Sequence, residues 1–195
     1  MTAVTEVSGE DWGARSLSGE CFEGVAFSDV DLGEAEIEDC RFEECTFRGV
    51  RFNCARVSSS SFARCTFVRC GFFEARFDAC RLTGSSFDRC TYELLRVEGG
   101  DWSFVDLSGA ALAGMRMEGV RLREADLTGA RCPDAVLRGC DLSGAVLTRV
   151  DLSGADLRGS DLSALDPRDA QLRGAMVTPA QAAVVASALG LLVLE

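Results

Sequence analysis

The stretch that indicates the fold most directly is residues 35–49, which read AEIEDCRFEECTFRG. Its large apolar residues, Ile37, Phe42 and Phe47, recur every five positions, and the residue two places before each of them is alanine or cysteine. A period of five matches neither the 3.6-residue period of an α-helix nor the two-residue period of a strand. We therefore expect a chain that turns once every five residues, with the large residue at the centre of each unit directed inward.

The five-residue pattern extends over most of the chain without a change of phase. Steps of five from Trp12 to Val177 give 34 central positions, and Pro167 is the one that lacks a core-type apolar residue. Fourteen of the 20 glycines follow a central residue by two places, where a turn with positive φ favours glycine. The pattern predicts a repeat domain over residues 10–177, preceded by a flexible N-terminus, residues 1–9, and followed by a separate module, residues 178–195.

Several later units have the form A-D-L-x-G, for example residues 125–129 and 155–159. They resemble the pentapeptide-repeat family, whose motif is A-(D/N)-L-x-x. The resemblance covers about residues 10–177 and implies an all-β fold, a right-handed quadrilateral β-helix in which four pentapeptides form one coil. The 34 units would then make about eight coils, with the central residue and the small residue two places earlier inside.

Within that family the chain resembles the MfpA and Qnr group of quinolone-resistance proteins, in particular the mycobacterial type, which forms a rod-shaped homodimer through a C-terminal helix and short strand. This resemblance implies a DNA-mimicking protein that binds DNA gyrase, inhibits or modulates the enzyme and protects it from fluoroquinolones. Two alternatives remain open. One is an immunity protein against a self-made gyrase poison. The other is a non-catalytic structural or adaptor rod, whose contact site would be an irregular patch at Leu94 and Phe104.

The composition of the 195 residues excludes several classes of protein. The chain has 31 acidic and 20 basic residues, a net charge of −11, and every basic residue is arginine. So acidic a chain is poorly suited to nucleic acid, which requires a basic surface. Without histidine it lacks the commonest general base and metal ligand, so we expect a non-enzymatic protein without catalytic, cofactor or metal sites. The absence of a long apolar run or signal-peptide pattern predicts a cytoplasmic protein.

In a coil of twenty residues, positions twenty apart lie on one face of the rod. We number the faces by their first central residues: the first face contains Trp12, the second Leu17, the third Phe22 and the fourth Phe27. Over residues 10–177 their net charges are −5, 0, −3 and −1. We expect gyrase to contact the first face together with acids of the third face, taken as lying beside it. The candidate contacts on the first face are Asp31, Glu34, Glu74, Glu93, Asp134 and Asp151, and those on the third are Glu43, Glu44, Asp101, Asp141 and Asp161.

The neutral second face contains two columns of charge. One consists of Arg56, Arg76, Arg96 and Arg116, and the other of Asp78, Glu98 and Glu118. Stacked like charges repel, so we expect each arginine to pair with a neighbouring acid. Exposed pairs of this kind contribute little to stability.

The ten cysteines also follow the repeat. Seven occupy the small inward position, Cys132 is central, and Cys21 and Cys54 should face outward. We expect most of them to act as small buried apolar residues, since the chain has no C-x-x-C metal motif. Two pairs would stack in adjacent coils within reach of a disulfide, although a reducing cytoplasm disfavours the bridge: Cys45 with Cys65, and Cys70 with Cys90.

After Val177 the pattern changes to that of a helix. Thr178 as N-cap, Pro179 in the first turn and Gln181 as the capping-box partner predict a helix from Pro179 to Leu189 that ends at Gly190. Its residues are apolar almost all round, which predicts burial. The following LLVL segment predicts a short strand. We expect this module to form a homodimer interface, with a monomeric cap as the alternative; the candidate interface residues are Ala182, Val184, Val185, Ala188, Leu189, Leu191, Leu192, Val193 and Leu194.

Overall fold

The computed structural model describes residues 5–194 and shows a parallel β-solenoid that ends in one helix, as predicted. The fourth face carries β1 (Glu6–Ser8), β4 (Ala26–Ser28), β7 (Thr46–Arg48), β10 (Thr66–Val68) and β12 (Ser86–Asp88). The second face carries β2 (Ser16–Ser18), β5 (Glu36–Glu38), β8 (Arg56–Ser58), β11 (Arg76–Asp78), β13 (Arg96–Glu98), β14 (Arg116–Glu118) and β15 (Val136–Arg138). The third face carries β3 (Cys21–Glu23), β6 (Arg41–Glu43) and β9 (Ser61–Ala63), and the first face is joined by single bridges such as Asp11 with Asp31.

Each coil contains twenty residues. Strands pair in parallel with residues twenty positions away, so that Phe27 lies next to Phe47. The ladder on the second face runs from Ser16 to Met176 in eight such steps. At the usual spacing between strands these steps span about 38 Å. The unbroken register agrees with the predicted rod of about eight coils.

Central residues of adjacent coils stack in the core. On the fourth face, Phe27, Phe47 and Phe67 form a column in which neighbouring ring centroids are 4.9 and 4.8 Å apart and the planes differ by at most 7°. The inward small residues pack beside them, as in Ala35, which is fully buried. Farther along the chain the central residues become leucine, for example Leu142. The core is therefore one continuous column along the rod axis.

The corners of the coil require a backbone conformation that most residues avoid. The residue two places after the central one has a positive φ, both at glycine, as in Gly144 (69°), and at larger residues, as in Glu34 (59°) and Leu94 (60°). An L-residue in this left-handed region costs roughly 1 kcal/mol or more. The predicted preference for glycine at this position is confirmed, and the acids found there occupy the same left-handed corner.

Inward cysteine and serine side chains do more than fill space. The Cys65 thiol donates to the Phe42 carbonyl oxygen (3.4 Å), and the Ser85 hydroxyl donates to the Phe62 carbonyl (2.5 Å) while accepting from the Cys65 N–H (2.8 Å). These bonds satisfy backbone groups that lie inside the corner. All ten cysteines are free thiols, and Cys21 is the exposed one, as expected from its outward position.

The packing changes around Trp102. Leu95 is buried at an inward position that holds a small residue in most coils; Met115 and Leu165 are two other large residues at this position. The inward position before Trp102 is Gly100, where a Cβ atom would lie 2.1 Å from the Cys80 carbonyl oxygen. The indole ring stacks on Phe87 with centroids 6.0 Å apart. Glycine is therefore required at position 100 by the close approach of the Cys80 backbone and by its own φ of 86°.

The solenoid begins earlier than the predicted boundary at residue 10. Strand β1 pairs with β4, and Val7 takes a central position and is buried. Residues 6–9 are therefore part of the first coil, because Val7 continues the five-residue phase. The other part of the predicted flexible segment, residues 1–4, lies outside the described residues.

The helix α1 (Pro179–Ala188) closes the other end of the rod. Thr178 and Gln181 form the predicted capping box. The Gln181 Nε2 amide also donates to the carbonyl oxygens of Leu157 and Ser160, each at 2.7 Å. One glutamine side chain thus joins the helix start to the last regular coils.

Two expectations for this module are not met in the single chain. Gln181 is the one buried residue of α1, so the apolar helix is not enclosed. The segment Leu191–Leu194 forms no strand among the described residues, since a strand requires a second strand to complete its hydrogen bonds. Its side chains are 51–92% exposed.

Two adjacent phenylalanines provide a matched test of the stacked core. Phe72 is buried and stacks on Phe52 with centroids 5.1 Å apart, whereas Phe73 is 43% exposed. We expect Phe72→Ala to lower the free energy of unfolding by about 3–5 kcal/mol, because it leaves a cavity in the column. Phe73→Ala should cost less than about 1 kcal/mol. Urea unfolding followed by circular dichroism would measure both, and equal losses would contradict the assignment of the core.

Candidate functional site

The structure separates the eleven acidic candidates into two groups. The first and third faces are ten residues apart in a coil of twenty, as the paired positions Asp31 and Asp11 on one face and Arg41 and Cys21 on the other show. They therefore lie on opposite sides of the rod. The expectation that the third-face acids lie beside the first face is wrong, because half a coil separates them, and the two groups cannot form one continuous surface.

Five of the candidates have a structural role in their own turns. Each is an aspartate one place before a central residue, and its Oδ1 accepts the backbone N–H two positions later, at 2.8–3.1 Å: Asp31, Asp101, Asp141, Asp151 and Asp161. This is the Asx-turn bond, which mimics a backbone turn. The aspartate of the A-D-L-x-G motif thus stabilises the corner. This role was not predicted from the sequence, although the constant place of aspartate in the repeat was the available signal.

Several candidates are also paired with arginine. Asp31 binds Arg51 at 2.6 Å, and this bond together with the Gly33 N–H lowers the pKa of Asp31. The pair Asp101–Arg121 is 3.1 Å long. On the third face, Asp141 approaches Arg123 at 3.7 Å, and Arg64 lies 3.6 Å from Glu43 and 3.0 Å from Glu44. Four of the five third-face candidates are therefore partly neutralised.

Among the six candidates without an Asx-turn bond, four are exposed and have no ion pair with any residue between positions 5 and 194. They are Glu34, Glu74, Glu93 and Asp134, which we call the acidic edge. Glu34, Glu74 and Asp134 occupy left-handed corners between the first and second faces, with φ of 59°, 54° and 55°. Glu93 directly precedes the corner residue of its own coil. The acidic edge thus presents free carboxylates along one line of the rod.

The arginine column of the second face is only half paired. Arg56 lies 3.7 Å from Glu36, and Arg116 lies 2.8 Å from Glu118. Arg76 and Arg96 have no acidic oxygen within 4.0 Å in the described part of the chain. The prediction that every arginine of this column pairs with an acid is therefore wrong for its two central members.

The nine candidate interface residues all lie at the C-terminal end of the rod. Val185 is half-buried against the core, and the other eight are exposed in the single chain. Beneath α1 lies a cavity of about 270 Å³ whose lining is apolar and includes Leu162, Val185 and Leu189. The chain therefore leaves a contiguous apolar surface at this end.

The alternative contact patch does not exist as one surface. Leu94 and Phe104 are 52% and 54% exposed, as expected. They are ten residues apart, however, so they occupy opposite corners of the coil. In the register of the coils, Phe73 lies opposite Glu93, the residue before Leu94.

Residues 5–194 show neither a metal site nor a helix that could span a membrane. Residues 5–194 contain no group of three or more acidic or cysteine side chains placed to hold a metal ion. The single helix is too short to cross a membrane.

The fold and repeat define the class of this protein: a parallel β-solenoid built from five-residue units, with a C-terminal helix. The model of the family described as pentapeptide repeats matches residues 27–64, 103–131 and 125–163, in eight copies. The chain therefore belongs to the pentapeptide-repeat family. A comparison with curated protein sequences gives no match.

Solved structures show the same fold. A trypsin-treated variant of QnrB1, a plasmid-mediated fluoroquinolone resistance protein, is 21% identical over 98% of this chain and 100% of its own, with a TM-score of 0.67. Full-length QnrB1 is 19% identical over 95% of this chain and 100% of its own, with a TM-score of 0.65. At this identity the similarity establishes a common fold.

The turn role of aspartate can be separated from its charge at Asp141. Its Oδ1 accepts from the Ser143 hydroxyl (2.6 Å) and N–H (3.1 Å). We expect Asp141→Ala to lower the free energy of unfolding by about 1 kcal/mol, because it leaves these donors unpaired. Asp141→Asn keeps an acceptor oxygen and should cost less.

The same bonds, led by that of the Ser143 hydroxyl, lower the pKa of Asp141 below its ordinary value. The charged carboxylate therefore stabilises the fold above the unfolded pKa of about 3.9, and this contribution is lost as the pH falls below it. Urea unfolding between neutral and acid pH should show the difference between wild type and Asp141→Asn shrinking on acidification. A difference that does not depend on pH would contradict the charge contribution.

Proposed function

We propose that this protein is a DNA mimic that binds DNA gyrase through the acidic edge, modulates the enzyme and protects it from fluoroquinolones. The observation that supports the proposal most is the line of unpaired carboxylates on a rod with the fold of a fluoroquinolone resistance protein. From Glu34 to Asp134 this edge covers five coils, or about 24 Å. A rod with a charged edge can occupy a groove that accepts duplex DNA.

The charge density limits how the mimicry works. Duplex DNA carries one charge per about 1.7 Å, or roughly 14 over this length. The acidic edge supplies four carboxylates over the same distance. Binding must therefore depend on the positions of a few charges and on the shape of the rod. Unpaired carboxylates suit this role, because a partner's cations can reach them without displacing an arginine.

The proposal includes a homodimer joined at the C-terminal ends. The LLVL segment and the exposed faces of α1 would be covered by a second copy, which would also give the segment a strand partner. Two rods joined end to end would be roughly 80–100 Å long by the same stacking estimate. The dimer would present two acidic edges to one enzyme.

Reversal of the acidic edge tests gyrase binding. We expect the wild-type protein to reduce supercoiling, or to reduce the DNA breaks that ciprofloxacin stabilises, in a gyrase assay. Changing Glu34, Glu74, Glu93 and Asp134 to lysine should weaken this effect about tenfold or more, because the favourable contacts become repulsive.

The matched control reverses four other exposed acids: Glu20, Glu23, Asp29 and Glu124. Two of these, Asp29 and Glu124, also occupy left-handed corners, and the change in net charge is the same. The control should retain the wild-type effect. Equal losses in both variants would show a dependence on total charge and contradict the acidic edge. No effect of the wild-type protein on gyrase would contradict the proposed function itself.

The dimer is tested by a charge in the apolar end. We expect Leu191→Asp to convert the dimer to a monomer, because a carboxylate would be buried without a partner. Val146→Asp introduces the same charge at a site on the rod that is 45% exposed and should leave the mass unchanged. Light scattering coupled to size exclusion would measure both. A monomeric wild type would favour the cap over the interface.

A further inference from the structure

We infer that the arginine column of the second face binds an extended acidic segment of a partner protein, with apolar side chains of that segment seated beside Leu94. The column consists of Arg56, Arg76, Arg96 and Arg116, which lie opposite one another in adjacent parallel strands. All four are exposed. This surface adjoins the acidic edge at Glu74 and does not depend on the proposed gyrase function.

The arginine column lowers the stability of the isolated chain. Adjacent arginines start from backbones about 4.8 Å apart, so their like charges repel one another. Acids offset this repulsion at Arg56 and Arg116, whereas Arg76 and Arg96 have no ion pair among residues 5–194. Asp78 and Glu98 lie two residues farther along the same strands without pairing with them. The centre of the column therefore carries unneutralised positive charge on a chain whose net charge is −11.

An exposed apolar residue adjoins this charge. Leu94 is 52% exposed and has a φ of 60°, in a corner position that elsewhere holds glycine or a polar residue in most coils. Phe73 of the preceding coil is 43% exposed. A leucine here gains little from burial and bears the cost of a left-handed backbone. The unpaired arginines and the exposed leucine each lower the stability of the isolated chain, and they lie side by side. Such a combination is typical of a binding surface.

The two features line one groove. It has a volume of about 220 Å³ and runs between the corner column and the arginine column; its lining residues are Cys54, Arg56, Glu74, Arg76, Leu94 and Arg96. Three guanidinium groups face one carboxylate, that of Glu74, which lies 3.8 Å from the Cys54 thiol. The groove is therefore positive on one side and partly apolar on the other.

These dimensions fit a short extended peptide. From Arg56 to Arg116 the column spans three coil steps, or about 14 Å, and alternate side chains of a strand are about 6.8 Å apart. Three acidic residues at every second position would therefore reach along the column, with apolar residues between them directed toward Leu94. A long polyanion such as duplex DNA fits less well, because it would also meet the acids that flank the groove.

Fluorescence anisotropy with a labelled Glu-Leu-Glu-Leu-Glu peptide tests the inference. We expect the wild-type protein to bind this peptide and not its Gln-Leu-Gln-Leu-Gln counterpart. The double variant Arg76→Gln, Arg96→Gln should bind about tenfold more weakly, and Leu94→Ser about threefold more weakly. The matched control is Arg48→Gln, Arg69→Gln, which removes two exposed arginines of the fourth face and should leave binding unchanged.

Several results would overturn the inference. One is no binding by the wild-type protein, and another is an equal loss in the two double variants. Displacement of the labelled peptide by duplex DNA as readily as by unlabelled peptide would show a general anion surface. Urea unfolding of each variant establishes that the fold is intact. Because the variants leave the acidic edge unchanged, the gyrase assay should give the wild-type result, so failure of either proposal can be distinguished.

Discussion

The backbone hydrogen bonds between coils set the geometry of the whole rod. Each joins residues 19 or 21 positions apart, and so fixes the number of residues in a coil. The Trp12 N–H donates to Asp31 and the Ala26 N–H donates to Thr5, and the same two intervals recur along the rod. Such a ladder persists only if every coil contains the same number of residues. The five-residue repeat meets this requirement. It keeps large side chains inside, places the left-handed corner at a constant position and gives each outward residue a fixed face.

Net charge is a poor measure of the charge that this rod offers to a partner. Many of its aspartates accept backbone hydrogen bonds in their own turns, as Asp151 does from Ser153. Others pair with arginines one coil away, as Asp31 does with Arg51. What remains available to a partner includes the acidic edge, together with arginines that have no ion pair among residues 5–194, such as Arg76 and Arg96. Many of the acids that the repeat contributes therefore stabilise the rod itself and are less available to a partner.

Local features of the fold could be predicted from the sequence, and long-range ones only in part. The central positions, the corner at Gly144 and the capping box at Gln181 depend on neighbouring residues, so the pattern revealed them. The opposite placement of the first and third faces also followed from a twenty-residue coil but was misjudged. Bonds between coils, such as that from Cys65 to Phe42, require the stacked structure. The LLVL segment forms no strand because no other segment among residues 5–194 pairs with it.

Because every coil contains twenty residues, the effect of an insertion on the faces of the rod depends on the number of residues inserted. Twenty added residues would lengthen the rod by one strand spacing, about 4.8 Å, and leave every face aligned. Five added residues would preserve the core pattern yet rotate everything beyond them by a quarter turn. The acidic edge and the arginine column would each be divided into two halves that point in different directions. In such a rod, whole coils can be gained or lost without harm to recognition, whereas single units change what the surface presents.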